Sequence, residues 1–136
     1  MLAVALAAVA AAAAAVLRRR RPDPPTQDKV AVPRQLDRRD FAGPALPWLV
    51  AVFTSTSCDS CQRATEKARA LEGDDVAYDE IPWQTRRDLH DRYGVTDVPM
   101  ILIADAEGLV QQSFVGTPST NLTGVMAHVR AQKPTV

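Results

Sequence analysis

The chain has 136 residues, with 16 basic and 16 acidic side chains and a formal net charge of zero. Nothing in that balance suggests the basic surface on which nucleic-acid binding depends. The length holds one small domain of about 100 residues once a compositionally separate N-terminal stretch is set aside. Arginine outnumbers lysine, alanine is abundant and Asn121 is the single asparagine, a usage that resembles GC-rich bacterial genomes.

Residues 1–17 are apolar without a break, and Arg18, Arg19, Arg20 and Arg21 follow at once. About 17 residues is the lower limit for a membrane-spanning helix. A transmembrane or anchor helix is therefore expected over 1–17, although alanine inserts into lipid less readily than leucine. The rival reading is a loose alanine-rich helix. A cleaved signal peptide would carry its positive charge before the apolar run, not after it. With the arginines on the C-terminal side, the positive-inside rule places the following domain in the cytoplasm, with the extracytoplasmic side as the alternative.

Residues 18–29 are basic and proline-rich, the composition of an extended linker. The domain is expected over 30–132, with 133–136 as a tail. Residues 30–36 read as an edge strand, since Pro33 cannot serve a central one. Residues 37–41 suggest one helical turn. The run Trp48-Leu49-Val50-Ala51-Val52-Phe53 is the pattern of a strand buried on both faces.

A turn then leads to a helix carrying Cys61, Ala64, Ala68 and Leu71 on one stripe, with Gly73 as its stop. A strand is expected near 76–80. Thr85 with Asp88 forms a capping box for a second helix, which Gly94 ends. On that helix Leu89 and Tyr93 face the core and His90 faces solvent. Residues 100–104 and 109–115 form a hairpin, and Leu122, Val125, Met126 and Val129 mark a last amphipathic helix. The predicted fold is α/β, with a central mixed sheet of four to five strands and helices on both faces.

The two cysteines, Cys58 and Cys61, carry the chemistry. A loop closed by two intervening residues constrains little of the unfolded chain. Two thiolates cannot complete a tetrahedral zinc site, and His90 and His128 lack ligand spacing to them. No metal or organic cofactor is implied. Redox chemistry remains. The pair sits where a buried strand gives way to a helix, so Cys58 is expected at the helix N-terminus, where its thiolate is stabilised. Cys61, one turn on and facing the core, can attack a mixed disulfide on Cys58. Cys58 is thus the nucleophile and Cys61 the resolving thiol. Asp59 opposes the thiolate about as strongly as the helix terminus favours it, which points to a reducing or intermediate couple.

Trp48 and Trp83 are read as packing residues, and Arg38, Arg39, Arg86 and Arg87 as solvated charge runs. For Pro99 the residues alone favour a trans bond.

The layout resembles the thioredoxin family: a strand with C-x-x-C at the start of a helix, then Tyr93-Gly94-Val95-Thr96-Asp97-Val98-Pro99 before a strand, a hairpin and a closing helix. The likeness covers roughly residues 30–132 and is nearest in plan to bacterial membrane-tethered thioredoxin-like proteins. It implies a thioredoxin fold and a thiol–disulfide oxidoreductase acting on disulfide-containing protein substrates, supplied by a redox partner. It also implies a cis bond at Pro99, with Val98 offering backbone hydrogen bonds to the bound substrate chain. The chain departs from the family in four places, one of them a segment near 80–87 that is a few residues longer than usual. Ser57 and Asp59-Ser60 stand where Trp and Gly-Pro are usual. Val52 occupies the position of the usual buried carboxylate, which helps deprotonate the resolving thiol. Met100 replaces a threonine. The missing carboxylate at Val52 and the missing tryptophan favour the alternative of a non-enzymatic redox sensor or docking module. A thiolate metal carrier would need a second protein to complete its coordination.

Overall fold

A computed structural model describes residues 2–19 and 30–133. The elements in order are α1 (Leu2–Arg19), a 3-10 turn (Arg38–Asp40), β1 (Trp48–Thr54), α2 (Cys61–Arg69), β2 (Val76–Pro82), α3 (Arg87–Tyr93), β3 (Met100–Ala104), β4 (Val110–Val115) and α4 (Leu122–Gln132).

The sheet has four strands in the order β2-β1-β3-β4. β1 runs parallel to β2 and antiparallel to β3, and β3 and β4 form the hairpin. The central strands β1 and β3 are buried along their whole length. Their alternate residues serve two cores. Val50, Val52, Ile101 and Ile103 pack under α2 and α4, against Ala64, Ala68, Met126 and Val129. Leu49, Ala51, Phe53 and Leu102 pack on the other face against Leu36, Phe41, Leu89 and Val95. Truncating one of the buried branched residues, Ile101 for example, costs about 2–5 kcal/mol through lost transfer energy and the cavity left behind.

The expected edge strand over 30–36 does not form. Its chain instead crosses the β3–β4 turn, with one isolated bridge between Gln35 and Leu109. Pro33 has no N–H to give a ladder, so two backbone hydrogen bonds, Leu36 N–H to Gly108 O and Val110 N–H to Arg34 O, tie the segment down, together with Gln35 Nε2 donating to Glu107 O at 2.7 Å. Gly108 makes that crossing possible. Its φ is +82°, and a Cβ there would lie 2.0 Å from Leu36 O.

The helix boundaries also differ from expectation. α2 starts at Cys61, with Ser60 as its N-cap, so Cys58 precedes the helix by three residues. α2 ends at Arg69, and Gly73 instead makes a bridge to Val76. Thr85 does not cap α3, which starts at Arg87 without a side-chain cap. Gly94 ends it as expected, in the left-handed conformation at φ 63°.

His90 faces inward, not outward, and is 2% exposed. Arg38 is not solvated either, and Arg86 is only partly solvated. Arg38 is buried and donates to Leu46 O, Asp105 O and Gly43 O at 2.9–3.0 Å. Arg86 holds both carboxylate oxygens of Asp79 at 2.9 Å and reaches Asp40 O. Arg39 and Arg87 are exposed, as read. Trp48 is a core residue, whereas Trp83 is exposed and carries the Arg87 guanidinium over its ring at 4.9 Å.

α1 extends past the expected apolar run to take in Arg18 and Arg19. Its described side chains, those of residues 4–16, are exposed. An 18-residue helix rises about 27 Å, short of a hydrocarbon core of about 30 Å. Among the described residues no helix is long and apolar enough to cross a membrane, so the expected span is not found. The rest of the expected linker, 20–29, and residues 134–136 of the tail lie outside the described residues.

Candidate active site

β1 and β2 are parallel, so their C-terminal ends lie side by side, and α2 starts from the same end of the sheet. This is the end of an α/β sheet where ligands are usually met. Cys58 and Cys61 meet there and are joined as a disulfide, with their Cα atoms 5.4 Å apart. Cys58 is half-buried and Cys61 is 4% exposed. The sulfur of the first is thus the accessible one, and the second faces the core on the same stripe as Ala64 and Ala68.

The turn that presents Cys58 is held on both sides. Cys58 N–H donates to Ser55 O at 3.2 Å, and Cys61 N–H donates to Cys58 O at 3.3 Å. Gln84, from the loop after β2, clamps it from outside. Its Oε1 accepts from Thr56 N–H at 3.1 Å and its Nε2 donates to Ser55 Oγ at 3.0 Å. On the far side Thr117 Oγ1 donates to Ser60 O at 3.2 Å. Cys58 Sγ lies 3.7 Å from Ser60 Oγ, a hydroxyl able to donate to a thiolate.

An open cleft of about 440 Å³ runs beside the disulfide, lined in part by Thr54, Thr56, Cys58, Cys61, Thr65 and Glu80. Glu80 is opposite Val52 in the β1–β2 register. Its carboxylate accepts from Thr54 Oγ1 at 3.1 Å. Burial pushes the nearby Tyr78 phenol up, and the charge on Glu80 adds to that.

Val98 and Pro99 lie outside this lining. The β1–β3 register ends at Phe53 and Met100, which sets Pro99 one position beyond, level with Thr54. Pro99 is buried, its O accepts from Gly116 N–H at 2.8 Å, and the Val98–Pro99 peptide bond is cis. The structure therefore gathers Cys58 and Cys61 directly and brings Pro99 to the adjoining strand end.

Glu80, Thr54 and Gln84 are site residues that the sequence reading missed. A carboxylate in the last half of a strand next to a buried one was the available signal for Glu80. Only the parallel register shows that it shares a cleft with residues some twenty positions earlier. Among the described residues no group of three His, Cys, Asp or Glu side chains is placed to hold a metal ion.

No protein-family model and no curated protein matches the chain. Solved structures do. A mutant thioredoxin from Halobacterium salinarum matches with a TM-score of 0.53 and 22% identity, over 68% of this chain and 80% of that one. The germline-specific thioredoxin Deadhead from Drosophila melanogaster matches with a TM-score of 0.54 and 21% identity, over 63% and 84%. The thioredoxin of Fasciola hepatica matches with a TM-score of 0.52 and 21% identity, over 60% and 80%. At these identities the likeness is one of fold: the chain has a thioredoxin fold with a four-stranded mixed sheet.

Proposed function

We propose that this chain is a thiol–disulfide oxidoreductase that reduces disulfides in protein substrates by dithiol exchange at Cys58 and Cys61. One observation carries the reading. The two cysteines are bonded at the cleft mouth, one accessible and one facing the core, at the sheet end where β1, β2 and the start of α2 meet.

In the reduced protein the Cys58 thiolate attacks one sulfur of the substrate disulfide. A Cys58–substrate disulfide forms, and the other substrate sulfur leaves as a thiolate that takes up a proton. Cys61 then loses its proton and attacks the Cys58 sulfur, which releases the second substrate thiol. Two electrons and two protons pass to the substrate, and the protein is left as the disulfide. A dithiol donor resets it by the same exchange in reverse. Val98 and Pro99 are assigned the substrate chain, with the Val98 backbone offering hydrogen bonds beside Thr54.

The apolar helix α1 is assigned as a lipid anchor and not as a span, with the domain on the cytoplasmic side of a bacterial membrane, where the anionic leaflet attracts Arg18 and Arg19 at the helix's C-terminal end. Flotation of the full chain with lipid vesicles tests the anchor. An active alkaline-phosphatase fusion at the C-terminus would put the domain outside.

Insulin reduction driven by dithiothreitol tests the activity. Precipitation of the insulin B chain well above the rate with dithiothreitol alone supports the reading. No acceleration would favour a redox sensor or docking module instead.

A further inference from the structure

We propose that the cleft selects its substrates by charge, with Glu80 and the neighbouring Asp59 favouring disulfides flanked by cationic groups over disulfides flanked by anionic ones. This rests on the thiol–disulfide reading of the site and names the class of substrate it takes.

Glu80 is the one charged residue in the lining of the cleft; the rest are neutral. It is held in place, because Thr54, itself 3% exposed, donates to its carboxylate at 3.1 Å. Asp59 adds a second carboxylate between the two cysteines. Among the described residues no lysine or arginine pairs with either.

Of the cations nearby in sequence, all but Arg69 are directed elsewhere. At about 100° per residue, Gln62 and Thr65 of α2 turn toward the cleft with Cys61, and Arg63 falls on the opposite side. Lys67 donates to Pro118 O at 2.6 Å. Arg69 is the exception: it shares the face of Gln62 and Thr65, lies over the Tyr78 ring at 5.0 Å, and acts on the Tyr78 phenol against the Glu80 charge, so it offsets part of that charge from two helical turns, or about 12 Å, along the axis from Cys61. Arg87 is stacked on Trp83 and lies 3.7 Å from Asp91.

The exchange itself makes this charge felt. When the Cys58 thiolate attacks, negative charge spreads over the attacking, central and leaving sulfurs, and no cation in the cleft lining offsets it. A substrate ammonium or guanidinium beside its disulfide supplies what the lining lacks. A substrate carboxylate adds to the repulsion. Taken as a sphere, a cleft of this volume is about 9 Å across. That is within the Debye length of about 10 Å at 0.1 M salt, so the interaction survives screening at low ionic strength.

The test uses the reduced full chain and three small symmetrical disulfides: cystamine, bis(2-hydroxyethyl) disulfide and dithiodipropionate. Their ends are cationic, neutral and anionic. Single-turnover rates are each divided by the rate of the same disulfide with dithiothreitol, which removes intrinsic reactivity. The expected order is cystamine, then the neutral disulfide, then dithiodipropionate, with about tenfold or more between the ends at low salt. That ratio should collapse toward one at 1 M salt, where the Debye length is about 3 Å. Glu80→Gln should lower the ratio about threefold, and Asp59→Asn should lower it independently. A corrected ratio within twofold of one, or one that neither salt nor either substitution changes, would overturn the proposal. If Glu80→Gln fails to fold, the salt series and Asp59→Asn still decide it. Failure to reduce even the neutral disulfide faster than a free monothiol would instead sink the oxidoreductase reading itself.

Discussion

The imidazole of His90 stands edge-on against the ring of Phe53, with centroids 5.0 Å apart and the planes at 83°. Its Nε2 lies 2.7 Å from Ile81 O, so that nitrogen carries the proton and donates. One side chain thereby ties α3 to both β1 and β2, on the sheet face opposite the cleft. His90→Ala should lower stability by about 2–4 kcal/mol, through the cavity and the carbonyl left unpaired. Urea unfolding followed by tryptophan fluorescence measures this. The folded fraction should keep its redox activity. A loss of less than about 0.5 kcal/mol would place His90 among ordinary surface substitutions.

Asp105 sets the acid limit of the fold. Its side chain is 3% exposed and collects Glu107 N–H, Leu109 N–H, Gln111 Nε2 and Lys133 Nζ. Burial raises its carboxyl, but the Lys133 and Leu109 hydrogen bonds outweigh that and hold it below the ordinary 3.8. A carboxyl lowered on folding contributes stability that is complete above its unfolded value and is lost as pH falls through its folded one. Stability should therefore be flat near neutrality and fall below about pH 4. Asp37, held well below the usual range by Arg39, acts in the same direction. Asp105→Asn should cost about 1–3 kcal/mol at pH 7 and flatten the acid limb. Urea midpoints measured from pH 7 down to pH 2.5 check both statements.

The redox couple should be reducing or intermediate. Cys58 lies two residues before the N-cap Ser60, and the helix field is felt within the first turn. Asp59 opposes the thiolate. Asp59→Asn should raise the thiolate fraction of reduced Cys58 about threefold, an exposed-charge effect, and make the couple more oxidising. Equilibration with a glutathione buffer reads the potential. A wild-type value near about −120 mV, typical of a strong oxidant, would contradict the electrostatic account.

Local patterns carried the sheet and most of the helices. The apolar run at Trp48 to Phe53, short and rich in β-branched residues, has the pattern of a strand buried on both faces, and the stripe of Cys61, Ala64, Ala68 and Leu71 placed the second cysteine inward. What escaped depends on contacts distant in the chain. α3 is wedged between β2 and residues 36–41 and buries a wider arc than one stripe, so His90 goes in beside Leu89. Arg38 reads as a solvated charge until the carbonyls of Gly43, Leu46 and Asp105 converge on it. Glu80 enters the site only through the register that sets it opposite Val52, and nothing local reports a parallel pairing. The segment 30–36 has strand composition, but Pro33 leaves it two backbone hydrogen bonds instead of a ladder.

The division of labour between Cys58 and Cys61 is the centre of the account, and intact-protein mass measurement tests it most directly. Each single variant, Cys58→Ser and Cys61→Ser, is mixed in its reduced form with a peptide disulfide, and the adducts are weighed. The account predicts that Cys61→Ser accumulates a mixed disulfide with the peptide on Cys58, while Cys58→Ser gains little mass, because Cys61 is 4% exposed. Ready trapping on Cys61 in the Cys58→Ser protein, with none in the reverse variant, would contradict it.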